Sequence, residues 1–215
     1  MSKSKKGGQF ERELCKALSL WWSYNKRDDI FWRTAGSGAR ATVRRKQGKQ
    51  TADAAADMMA CHETGKPLTK TCLFEMKRGY SSKQKIVKNK KTKKLSIKKV
   101  AYGLEVLSIL DKQPKHKDPI LLEWWGKLEK ERMSTGRKFG FIIFRRDAKE
   151  ACITMSYKAF KTLVDRNGKF DGRIISVLFP KQEKISSLVI LKLDDFLNWC
   201  KPTCFLDLPR QIKRR

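Results

Sequence analysis

Residues 71–80 read TCLFEMKRGY, an apolar run that holds an acid and a base two positions apart. Such a run predicts a buried strand, and a strand has a side-chain period of two. Cys72, Phe74 and Met76 then point one way, and Leu73, Glu75 and Lys77 the other. Two opposite charges on one face of a buried strand form a structural salt bridge or share a ligand. An exposed pair is worth at most about 1 kcal/mol. The rest of the chain has to decide between the two readings.

A second short apolar segment, ADMMAC at 56–61, carries Asp57 near its start, and HETGKPLTK between the two supplies His, Gly and Pro turn residues. This pattern predicts a hairpin. Neighbouring strands lie about 4.8 Å apart, so Asp57 and Glu75 can meet on one face. Two such carboxylates repel, and a divalent cation relieves the repulsion. Hard oxygen ligands suit Mg2+, with Mn2+ able to substitute, bound through one or two carboxylates and a phosphate. Lys77 is then placed to orient or deprotonate a water, or to hold the phosphate.

Upstream, MSKSKKGG is polar and basic and reads as a mobile lead, with a helix expected from Gln9. Phe10, Leu14, Ala17, Leu18 and Trp21 recur at the helical period, and Cys15, Leu18 and Trp22 widen the stripe. Glu11, in line with Cys15, Leu18 and Trp22, falls at the edge of the buried face. That is an awkward place for a carboxylate without work there. A strand at 30–33 leads into a Gly-Ser turn, where Gly36 and Gly38 suit a turn on their own account; residues 42–55 read as a basic loop.

The resemblance enters with these pieces. Asp, an interval, then Glu-x-Lys resembles the PD-(D/E)xK nuclease superfamily. KGGQFERE at 6–13, FWRTAGSGA at 31–39, ADMMA and CLFEMK are similar, in order and approximate spacing, to the archaeal-type Holliday junction resolvases. The match covers residues 6–80, with Ala56 standing where a proline often precedes the acid. The resemblance implies an α/β PD-(D/E)xK nuclease fold, a central mixed β-sheet flanked by helices, with a basic insertion and a C-terminal extension. It implies a Mg2+-dependent homodimer that resolves four-way DNA junctions by paired nicks through metal-activated water, two sites about a two-fold axis. Glu11, Asp57 and Glu75 correspond to the metal-binding acids and Lys77 to the catalytic lysine. Arg12 and Arg33 correspond to phosphate-contacting arginines, Ser37 lies in the loop near the scissile strand, and Glu13 faces away into a surface charge pair. Arg40 joins the phosphate-binding candidates.

Composition agrees with such a partner. Lys and Arg number 50 against 22 Asp and Glu, a net charge of +28 spread over most of the length, which calls for a polyanion. Residues 83–99 hold nine lysines and no acid, and are expected to be a solvated arm in which Lys83, Lys85 and Lys88 meet DNA phosphates. No apolar stretch approaches a bilayer span and no secretion signal is visible, so a cytoplasmic, DNA-associated protein without a membrane partner is expected. Six cysteines without a regular framework are expected to be reduced. A zinc site from Cys61, His62, Cys72 and a tail cysteine lacks the paired C-x-x-C spacing.

The chain is expected to form a single endonuclease domain over 1–215, with catalytic motifs in 9–80, the lysine arm at 83–99 and completing elements in 100–215. Those elements comprise helices at 100–110 and 120–133, strands KFGFIIFRR and ACITMSY about DAKE, a helix stopped by Asn-Gly, strands RIISVLF and LVILKL, and a closing helix DDFLNWC. Trp21, Trp22, Trp124 and Trp125 are assigned to the core. Two other functions fit the composition: a restriction-type or repair endonuclease on duplex DNA, and a non-catalytic nucleic-acid-binding protein.

Overall fold

The computed structural model describes residues 3–34, 56–79, 82–88, 95–101, 120–146, 148–181 and 184–206. Helix α1 (Lys3–Trp22) buries Phe10, Leu14, Cys15, Leu18 and Trp22, the stripe that the periodicity predicts. It begins six residues earlier than expected, because Gly7 and Gly8 continue the helix instead of ending a loose lead. Strand β1 (Phe31–Arg33) is fastened to α1 by Ser19: its buried hydroxyl donates to the Cys15 carbonyl at 2.7 Å and accepts the Phe31 N–H at 2.9 Å.

The expected hairpin does not form. Strand β2 (Met58–Ala60) pairs antiparallel with β1, Phe31 opposite Ala60 and Arg33 opposite Met58. HETGKPLTK is not a turn: it folds into a 3-10 turn (Glu63–Gly65) and helix α2 (Lys66–Thr71). Pro67 sits in the first turn of α2, where its missing N–H costs nothing. Gly65 is required there, since a Cβ would come within 2.6 Å of Ile30 and 2.7 Å of Phe31.

Strand β3 (Cys72–Arg78) then starts a five-stranded mixed sheet. Its other strands are β6 (Phe139–Arg145), β7 (Ala151–Ser156), β8 (Ile175–Lys181) and β9 (Lys184–Lys192), in the order β3-β6-β7-β9-β8. The β3–β6 pair is parallel and the others antiparallel. Between them, α3 (Ile120–Thr135) supplies the crossover that parallel pairing needs. Helix α4 (Tyr157–Asn167) follows β7, and helix α5 (Leu193–Trp199) follows β9. Gly168, at φ 90°, ends α4 as the Asn-Gly pair predicts.

Two apolar layers follow from the period of β3. Cys72, Phe74 and Met76 pack with α1, α4 and α5, while Leu73 packs with Leu121, Trp124, Trp125 and Leu128 of α3. Trp22, Trp124 and Trp125 are buried and Trp21 packs against the core.

The lysine arm is a second correction. Residues 82–88 (β4, Ser82–Lys88) and 95–101 (β5, Leu95–Ala101) pair as an antiparallel ribbon. Lys85 stands opposite Lys98, an unfavourable register partner, but Ile86 stands opposite Ile97, and the β-branched residues Val87 and Val100 favour extended backbone. Charge density alone outweighed that propensity in the expectation. The helix expected at 100–110 is a strand at Val100 and Ala101; its remainder lies outside the described residues. Among the described residues no helix is long and apolar enough to cross a membrane.

Candidate active site

The site lies along the outer edge of β3, the outermost strand of the sheet. Asp57 reaches that edge although β2 does not pair with it. Its backbone N–H donates to the Phe74 carbonyl at 3.0 Å, and its carboxylate Oδ2 accepts the Met76 N–H at 2.8 Å. These two bonds set Asp57 against the strand that carries Glu75 and Lys77 on either side of Met76. Asp57 also accepts the Thr34 N–H at its carbonyl, at 3.0 Å, so the segment is held between β1 and β3.

Ala56, immediately before Asp57, is buried and has φ 82°. Proline, locked near φ −65°, cannot take that conformation. Ala56 thus enters the segment in the left-handed region just before Asp57.

Glu75 and Lys77 form an ion pair on the α3 side of β3, each side chain about three-quarters buried. Burial, and next the charge of Asp57, raise the Glu75 pKa above its ordinary value, while Lys77 pulls it back; Glu131 of α3 adds to the rise. Glu11 stands on the α1 side. Burial and then Asp57 raise its pKa too, against the lowering effects of Arg33, Lys77 and Arg12. Asp57 is therefore the acid that both glutamates feel.

The arginines approach over the first part of α1. Arg33 Nη1 lies 3.4 Å from Glu11 Oε2. A Cβ at Gly8 would come 2.5 Å from Arg33 Nη1 and 3.8 Å from Arg12 Nη1, so both guanidinium groups converge where the helix has no side chain.

The structure thus brings together Glu11, Asp57, Glu75, Lys77, Arg12 and Arg33. Ser37 and Arg40 lie outside the described residues, and Lys83, Lys85 and Lys88 are placed by backbone alone on β4. Glu13 pairs with Arg145 of β6 at 3.1 Å, the charge pair expected of it. Arg145 and Glu131 have no local signal in the sequence, because only the pairing of β6 with β3 and the packing of α3 bring them near.

Three carboxylates with hard oxygen donors are the chemistry that a small divalent cation takes. Among the described residues no group of three or more His, Cys, Asp or Glu side chains is gathered as a ready cage, which holds for zinc from Cys61, His62 and Cys72 as well. Instead each acid has a present partner: Arg33 for Glu11, the Met76 N–H for Asp57, Lys77 for Glu75. The cysteines are free, and burial pushes the Cys15 thiol up to about 12 and those of Cys72 and Cys200 upward as well.

No protein-family model matches the chain, and neither does any curated protein or solved structure.

Proposed function

We propose that this chain is a Mg2+-dependent DNA endonuclease of the PD-(D/E)xK type that nicks branched DNA, four-way junctions above all, as a homodimer. The observation that carries the reading is the hydrogen-bonded placement of Asp57 against β3, with Glu75 and Lys77 flanking its partner Met76. A pure binder gains nothing from glutamates raised in pKa by burial and by the charge of Asp57 at a surface meant for phosphate. The mixed sheet flanked by helices is compatible with that fold.

Asp57 and Glu75 would hold the cation, with Glu11 beside them. When bound, a divalent cation neutralises charge on the phosphate and makes a water more acidic. Lys77, now paired with Glu75, would be positioned to meet a non-bridging phosphate oxygen, where charge builds in the transition state. Arg33 and Arg12 fix the phosphate from the α1 side. In the hydrolysis a water oxygen bonds to phosphorus as the P–O bond to the sugar breaks; the water gives up a proton to solvent and the leaving sugar oxygen takes one from it.

An anomalous difference map from crystals soaked in Mn2+ tests the site. A peak between Asp57 and Glu75, absent from Glu75→Gln, is expected; a peak only elsewhere, or none, contradicts it. Competition between a four-way junction and linear duplex at fixed salt separates junction resolution from a restriction-type or repair role.

A further inference from the structure

The last register pair of the parallel strands, Arg78 opposite Arg145, has no part in the site above. Both guanidinium groups lie over one ring: the Phe10 centroid is 4.9 Å from Arg145 Cζ and 5.8 Å from Arg78 Cζ. Each guanidinium gains from the ring, and two like charges gathered about one side chain favour an anion beside them. A guanidinium fork grips a phosphate through two N–H groups.

Position points the same way. Phe10 precedes Glu11 on α1, so the arginine pair lies on the α1 side of β3, the side of Glu11 and across the strand from Glu75 and Lys77. It stands at the C-terminal ends of two parallel strands, where α/β sheets bind their ligands. Glu13, the present partner of Arg145 at 3.1 Å, is 44% exposed. An exposed ion pair is worth little and is readily exchanged for a phosphate.

We propose that Arg78 and Arg145, gathered about Phe10, form a second phosphate-binding site that holds the DNA backbone beside the scissile phosphate, with Glu13 occupying it until DNA arrives. The proposal rests on the nuclease reading for its neighbour, but its test does not require cleavage. Binding of a fluorescein-labelled linear DNA duplex is measured in EDTA across a salt series, together with thermal unfolding. Arg145→Gln and Arg78→Gln each weaken binding about tenfold and flatten the dependence of log K on log salt by about 0.9. Glu13→Gln binds as tightly as wild type or more tightly, because it removes the competing carboxylate. Arg145→Lys, which keeps the charge but not the fork, folds as wild type and still binds more weakly. Wild-type affinity and slope in both glutamine variants overturn the proposal. So does a Glu13→Gln variant that loses affinity and unfolding temperature in step with Arg145→Gln, since that marks a structural ion pair. A wild-type chain that behaves as expected here but cleaves no DNA leaves the clamp standing and refutes the nuclease reading alone.

Discussion

Asp57 and Met76 are joined by a hydrogen bond of 2.8 Å from a backbone N–H of an edge strand to a carboxylate that arrives from another sheet. A strand edge offers unpaired donors in a row, and one of them here serves to place an acid. The same carboxylate thereby has two duties, one structural and one electrostatic.

Substitutions at Asp57 separate those duties. Asp57→Asn keeps an acceptor for Met76, so it unfolds at the wild-type temperature; Asp57→Ala orphans the N–H and costs about 1–3 kcal/mol. Both lower single-turnover cleavage at least about 100-fold, a loss of about 2.7 kcal/mol of transition-state stabilisation. Asp57→Asn should bind DNA as tightly as wild type or more so. Cleavage at the wild-type rate by Asp57→Asn removes the acid from the site.

Glu75 makes the stability depend on pH in a stated direction. Its pKa is raised in the folded chain by burial and Asp57, so the fold binds that proton more tightly than the unfolded chain does. The resulting stabilisation is complete below the ordinary value of 4.5 and is lost as pH rises through the raised one. In EDTA at about pH 7.5, Glu75→Gln therefore unfolds at a higher temperature than wild type, and the two converge near pH 4. Mg2+ stabilises wild type more than the variant. Thermal unfolding with and without metal measures both; a variant less stable than wild type at neutral pH without metal would show that the Lys77 pair dominates.

Gly8→Ala separates fold from function at the arginines. Alanine favours a helix interior by about 1 kcal/mol, so the variant folds at least as well as wild type. The new methyl displaces Arg33 from Glu11, because it would sit 2.5 Å from Arg33 Nη1. Cleavage falls while the unfolding temperature holds or rises. Unchanged cleavage would mean that Arg33 acts from another position.

The sequence made the acids legible and their connections less so. Glu11 stands out because a carboxylate interrupts a helical stripe, and Glu75 with Lys77 because charges interrupt an apolar run. Strand period also divides β3 correctly between the two apolar layers. The pairing of β2 is not legible because Gly and Pro in HETGKPLTK mark the start of a short helix as readily as a turn. The ribbon at β4 and β5 is hidden because nine lysines mask the Ile86 and Ile97 register pair. Arg145 has no signature in local sequence, since only long-range parallel pairing brings it to Arg78.

The ribbon carries its own prediction. Lys83, Lys85 and Lys98 share one face by register, beyond Lys77 in the chain. Replacing the three with Gln weakens binding to junction and linear duplex alike and flattens the salt dependence by about 0.9 for each phosphate no longer neutralised. On the proposed reading junction preference survives, because the spacing of two sites in a dimer would set it. Selective loss of junction binding, with duplex binding unchanged, would place recognition in the ribbon.

Single-turnover cleavage of an end-labelled four-way junction, by wild type and by Lys77→Ala, in Mg2+ and in EDTA, tests the central claim. The account predicts Mg2+-dependent paired nicks in opposed strands by wild type, and for Lys77→Ala a large loss of rate with nearly unchanged affinity, because one cation among 50 basic residues adds little to binding. Tight binding with no cleavage in any divalent metal, or cleavage at the same rate in EDTA, would contradict it.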